Sequence, residues 1–121
     1  MAGKAAISLT TGLEDTEKVT VAFLVSVGAA EQDRETIMFL TKEAVRLAMT
    51  GVAIGVGCDG CPPLATLLER YTAAGGRYLV CPICFESRAL DKSDLIGGAE
   101  LGGSVQLWQW IGDDGAVTFS Y

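Results

Sequence analysis

An α/β domain with a mainly parallel central sheet flanked by helices is the fold class this sequence predicts. Two observations carry that expectation. Short apolar runs rich in strand formers ("AAISLTTG", "RETIMFLT", "RYLV", "AVTFSY") alternate with stretches of helix formers such as "KEAVRLAMTG" and "PLATLLERYTAAGG", and a strand that returns beside its predecessor in parallel needs such a crossover. The runs are apolar on both faces, as in strands buried between two helical layers. The 121 residues fit one domain, residues 1–121, with a core of its own and a loose N-terminus over residues 1–4.

Taken in order, residues 5–12 read as a buried strand ending in a glycine turn, and Asp15 or Thr16 then offers a helix N-cap. Residues 19–30, "VTVAFLVSVGAA", fit two patterns. Val19, Val21, Phe23, Val25 and Val27 alternate as in a strand, while Val19, Ala22, Phe23, Val27 and Ala30 share one helical face. Residues 34–41 are a buried strand, and residues 42–51 a helix with a glycine stop. The glycines and prolines of "VAIGVGCDGCPP" make a loop. Pro62 and Pro63 suit the first turn of the following helix, with Leu64, Leu67 and Leu68 on its apolar face and Gly75 and Gly76 at its end. Residues 77–80 are a short strand, and "CPICFESRAL" turns into a helix. Residues 103–111 alternate as a strand, or form a helix capped by Ser104 with Val105, Trp108 and Ile111 on one face. A last strand follows the Asp114–Gly115 turn.

Composition narrows the function classes. The formal net charge is −6 and the pI about 4.5, and no segment concentrates Lys and Arg, so nucleic acid is not an expected partner. Residues 19–30 are too short to span a bilayer and follow Glu14, Asp15 and Glu17 rather than a basic segment, so neither a signal peptide nor a membrane helix is expected. The expected compartment is the cytoplasm, where thiols stay reduced. Half of the residues are hydrophobic, with a mean hydropathy of +0.35, and contacts between subunits are expected to cover part of that surface. The chain has no histidine. That removes Cys-His and Ser-His nucleophile pairs and imidazole metal ligands, and leaves carboxylates, lysines and thiolates as bases.

All four cysteines fall within thirty residues, as two Cys-x-x-Cys pairs, Cys58/Cys61 and Cys81/Cys84. The spacing C-x2-C-x19-C-x2-C suits a four-thiolate zinc or iron–sulfur site. The same residues suit a pair of redox dithiols or a sulfur relay. Against metal, the intervening helix and strand form a unit that needs no ion to order it. Zinc ribbons also set each pair on a hairpin knuckle, whereas Cys81–Cys84 opens a helix.

The stretch "GGRYLVCPICFESRALDKSDLIGGAEL" resembles the DsrE/DsrF-like sulfur-relay family: a short apolar strand ends in Cys81, and a helix follows with Arg88, Ala89, Leu90 and Asp91. The opening through "KEAVRLAMTGV" and the tail from "AELGGSVQLWQW" are similar to the first half and the end of the same family, so the likeness runs from about Ala5 to Tyr121. The resemblance implies helices over residues 19–30 and 103–111. It also implies a compact Rossmann-like three-layer domain, trimeric or hexameric assembly, and sulfur carried as a persulfide on Cys81, passed between donor and acceptor proteins by a sulfurtransferase or sulfur carrier. The sequence departs from the family at the turn where many members have a glycine and this chain has Ala89–Leu90, and in its extra pair Cys58/Cys61.

At a strand end facing a helix N-terminus, Cys81 is expected to meet N–H donors that favour its thiolate, the nucleophilic form. Arg88, four residues from Cys84 on the same helical face, is expected either to stabilise a thiolate and bind an anionic donor or to make a surface or interface ion pair. Cys84 can resolve an oxidised Cys81 or accept its sulfur; the alternative for either cysteine is a packing role. Thr10, Thr11 and Gly12 would line the same pocket if their strand neighboured that of Cys81, and are otherwise a plain turn. Trp108 and Trp110 are expected in the core or an interface. Sulfur or redox chemistry without a cofactor leads, a four-cysteine metal site follows, and structural thiols come last.

Overall fold

The computed structural model of the chain describes residues 3–121. Five strands, β1 (Lys4–Leu9), β2 (Thr36–Leu40), β3 (Arg77–Val80), β4 (Ala99–Leu101) and β5 (Ala116–Ser120), form one sheet in the order β4-β3-β2-β1-β5. Every pairing is parallel. All strand C-termini therefore lie along one edge, where ligand sites of open α/β sheets form. Helices α1 (Thr16–Glu31) and α2 (Leu64–Ala73) pack together over one face. On the other face α4 (Ser104–Ile111) brings Leu107 and Trp110 onto Ala6, Ile37 and Leu79. The result is a three-layer α/β domain. Among the described residues, no helix is long and apolar enough to cross a membrane.

The expected helical face of residues 19–30 is the buried one. Val19, Ala22, Phe23, Val27 and Ala30 all pack inward, and Asp15 caps the helix by accepting from the Lys18 N–H at 3.0 Å. In α2 the buried residues are Leu64, Leu67 and Tyr71, so the apolar face runs to Tyr71 and Leu68 lies only half-buried at its side. Pro63 is the N-cap of α2, and Pro62 stands outside the helix. Phe23, Tyr71 and Tyr78 form an aromatic cluster with ring centroids 5.0 to 6.4 Å apart. The Tyr71 hydroxyl donates to the Arg77 carbonyl at 2.7 Å, which ties α2 to the start of β3. Burial pushes both phenols above the ordinary tyrosine value, so neither ionises near neutrality.

Several elements differ from expectation. Residues 42–51 form a 3-10 helix over Lys42–Ala48 rather than an α-helix, and Lys42 at its start takes a left-handed φ of 53°. Strand β4, unanticipated, is three residues long and is held to β3 by the register Tyr78 to Ala99 and by the Arg77–Glu100 ion pair of 2.6 Å. Gly103, not Ser104, is the N-cap of α4, and its N–H donates to Gln106 Oε1 at 2.9 Å. On that helix Val105 and Trp108 are 62 % and 69 % exposed, so the expected face with Ile111 is not the one that packs. Lys4, expected within a loose N-terminus, instead begins β1, and its ammonium donates to the Trp110 carbonyl at 2.5 Å. Residues 1 and 2 of that stretch lie outside the described residues.

Candidate functional site

Cys81 follows β3 directly, and its N–H donates to the Leu40 carbonyl at 3.0 Å, so the end of β2 fixes its backbone. It is the N-cap of α3 (Pro82–Ser87), its carbonyl accepting from Phe85 N–H at 3.0 Å. Phe85 is buried and pins this short helix to the core. Cys81 and Cys84 are free thiols, half-buried and packed against the main core. Ile83 between them is 79 % exposed.

The sulfur of Cys81 takes no capping hydrogen bond. This corrects the expectation that the helix start would present N–H donors to it. Pro82 at the first helical position removes one donor, and the sulfur receives none of the others.

Arg88 stands just past the helix as its C-cap. Its Nε donates to Glu43 Oε2 at 2.6 Å, and its Nη1 to the Cys84 carbonyl at 3.1 Å and the Ser87 hydroxyl at 3.3 Å. Of its two expected roles it therefore takes the ion pair, and it steadies Cys84 through the backbone rather than through sulfur. Arg46 Nε donates to the other Glu43 oxygen at 2.9 Å. Hydrogen bonds from Arg88 and then Arg46 hold the Glu43 carboxyl below its ordinary value. Both ends of the Arg88–Glu43 link carry left-handed non-glycine residues, Lys42 at φ 53° and Ala89 at φ 52°. Such conformations cost energy and gather where the surrounding structure needs them.

Thr10, Thr11 and Gly12 do not stand beside Cys81, because β2 lies between β1 and β3. The Thr10 hydroxyl donates to the Tyr121 carbonyl at 3.1 Å, toward β5. Gly12 reaches the neighbourhood indirectly. A β-carbon there would sit 2.7 Å from the Glu43 carbonyl oxygen, so only glycine lets the first turn close over Glu43. A cleft of about 520 Å³ opens here, lined in part by Leu13, Glu43, Arg46, Ala89, Leu90 and Asp91. None of the cysteines lines it.

Cys58 and Cys61 are joined to each other in a disulfide, with Cα atoms 5.1 Å apart, rather than standing as reduced thiols. The Cys61 N–H donates to the Cys58 carbonyl at 2.9 Å across the exposed turn Asp59–Gly60. Among the described residues, no three His, Cys, Asp or Glu side chains come close enough to hold a metal ion. With two of the four sulfurs bonded to each other, this arrangement does not fit a four-thiolate site. Sequence reasoning missed Glu43 and Thr20, whose Oγ1 lies 4.0 Å from Cys58 Sγ. Both act across large sequence separations and leave no local signal.

The family model described as DsrE/DsrF-like matches residues 3–119. Protein YchN of Escherichia coli K12 is 30% identical over 90 residues, 74% of this chain and 74% of that protein. Protein MJ0760 of Methanocaldococcus jannaschii is 26% identical over 102 residues, 84% of this chain but only 37% of that longer protein. The crystal structure of E. coli YchN superposes with a TM-score of 0.78 at 26% identity, over 98% of this chain and 100% of that one. MTH1491 of Methanobacterium thermoautotrophicum, with a TM-score of 0.66 at 11% identity over the whole of both chains, shares the fold.

Proposed function

We propose, from the premise that this chain belongs to the DsrE/DsrF-like family, that it carries sulfane sulfur as a persulfide on Cys81. The observation that carries this reading is a free, half-exposed thiol at the C-terminal end of an inner parallel strand, its backbone fixed from two sides. In the proposed step the Cys81 thiolate attacks the outer sulfur of a donor persulfide. The donor's S–S bond breaks, the donor leaves as a thiolate, and Cys81 holds the persulfide. An acceptor thiolate reverses the step. Cys84 offers a second exit, since attack of its thiolate on the inner sulfur of that persulfide gives a Cys81–Cys84 disulfide and releases hydrosulfide.

Donor and acceptor proteins are the proposed partners, and Ile83, exposed between the two thiols, gives them an apolar contact point. A homotrimer or dimer of trimers is part of the same proposal. Support comes from Val21 and Leu24 on the outer side of α1, from Val117 and Phe119 on edge strand β5, and from Trp108, all between 43 and 69 % exposed. The cytoplasm suits the role, because a carrier thiol must stay reduced between loads.

The test is to load the chain with a polysulfide and read the sulfur by peptide mass spectrometry. Cys81→Ser is expected to abolish the Cys81 adduct. A parent chain that carries no sulfur on Cys81, or a Cys81→Ser chain that loads as much as the parent, overturns the reading. Light scattering that returns a monomer of 12.7 kDa overturns the assembly.

A further inference from the structure

We infer that the Cys58–Cys61 disulfide is a second sulfur-handling site, an electrophile that takes hydrosulfide and converts it into sulfane sulfur. The choice of hydrosulfide rests on the sulfur-carrying role proposed above; the electrophilic disulfide does not.

This bond is poorly explained as a staple. Its cysteines are only three apart in sequence, and so short a loop removes little freedom from the unfolded chain. The loop also lies outside the strands, with Asp59 and Gly60 exposed and both cysteines half-exposed. A disulfide that stabilises little and meets solvent is of the reactive kind.

The surroundings of Cys58 suit both redox states. Thr20 is buried in α1, 1 % exposed, and its hydroxyl donates to the Thr16 carbonyl at 2.8 Å. Its oxygen also lies 4.0 Å from Cys58 Sγ. A disulfide sulfur has no proton to donate, so this approach is idle while the bond is intact. Once the bond opens, the hydroxyl can turn its proton toward a Cys58 thiolate, or accept from a Cys58 thiol. Thr20 is thus a positioning residue for Cys58 as the leaving group.

The step balances with the disulfide itself as the two-electron oxidant, one sulfur per disulfide opened. Hydrosulfide attacks Cys61 Sγ and the Cys58–Cys61 bond breaks. Cys61 then holds a persulfide, and Cys58 leaves as a thiolate that takes one proton. The entering sulfur is oxidised from sulfide to sulfane sulfur, and Cys58 receives the electron pair. The product is the species that a sulfur carrier passes on.

The experiment uses the full chain as the Cys81→Ser, Cys84→Ser double variant with its disulfide intact, treated anaerobically with hydrosulfide freed of polysulfide. The expected product gains one sulfur and two hydrogens, with the persulfide on Cys61 and a new alkylatable thiol at Cys58. The same chain reduced beforehand is expected to gain nothing, because the disulfide is the oxidant. Thr20→Val is expected to slow opening about three- to tenfold, the value of one hydrogen bond to the leaving sulfur, and to let sulfur appear on Cys58 as well; Thr20→Ser is expected to restore both. An intact disulfide after treatment, equal uptake by the pre-reduced chain, or opening by a low-molecular-weight thiol as fast as by hydrosulfide overturns the inference. An unchanged rate and unchanged attachment in Thr20→Val overturns the part given to Thr20. The double variant lacks Cys81, so failure here leaves the Cys81 loading experiment standing, and failure there leaves this one.

Discussion

Cys58–Cys61 and Cys81–Cys84 share one spacing and little else. The first pair sits in an exposed glycine-rich turn, closed on itself and touched by one buried hydroxyl. The second sits where an inner strand meets a helix, open, and backed by Phe85 and the main core. Spacing decides that two sulfurs can meet; surroundings decide whether they do. In the turn, chain reversal brings both sulfurs together. At the helix start the pair stands open, with the Cys81 N–H on the Leu40 carbonyl and Arg88 on the Cys84 carbonyl, and it closes in the proposed cycle only when Cys81 carries sulfur.

The largest expected effect comes from erasing this difference with a reductant. Denatured but unreduced protein should show two alkylatable thiols, Cys81 and Cys84, and reduced protein all four. Four thiols before reduction would remove the contrast. Next, the second pair depends on β3 and the first does not. A β-carbon on buried Gly76 would collide with the Tyr71 ring just before β3, so Gly76→Ala should destabilise the chain by about 1–3 kcal/mol in chemical denaturation. It should also raise the alkylation rate of Cys81 while leaving the Cys58–Cys61 bond intact; an unchanged midpoint would show that the strand start yields freely.

A smaller effect is expected at the turn beyond Arg88. Ala89 at φ 52° bears a left-handed cost that glycine escapes, partly offset by the extra freedom of glycine in the unfolded chain. Ala89→Gly should therefore stabilise by about 0.5–1 kcal/mol, again read from denaturation midpoints. The smallest effect is electrostatic. Hydrogen bonds from Arg88 and then Arg46 hold the folded Glu43 carboxyl below its ordinary value, so the stability it adds is complete above the ordinary carboxylate range and fades as pH falls through the lower folded value. Parent and Glu43→Gln should differ at neutral pH and converge in acid. A gap that persists in acid would show that the carboxylate charge is not what holds the turn.

Much of this was legible in the sequence because it is local. The inward face of α1 follows from Val19, Ala22, Phe23, Val27 and Ala30, once helix is chosen over strand. The glycine ends, the apolar strands and the position of Cys81 after "YLV" all follow from neighbours in the chain. Local pattern also misled where length was marginal. The three residues of β4 are too few to show a period, and good helix formers at 42–48 wound into a 3-10 helix behind a left-handed Lys42. What only the tertiary structure decided lies between distant residues. β2 enters between β1 and β3, which parts Thr10–Gly12 from Cys81. Glu43 claims the guanidinium of Arg88 from 45 residues away, and α1 sets Thr20 against Cys58 across 38. Backbone propensities act over a few residues and can be read along the chain, whereas strand order and side-chain partners are settled by which surfaces bury each other best, a choice that exists only once the chain has folded.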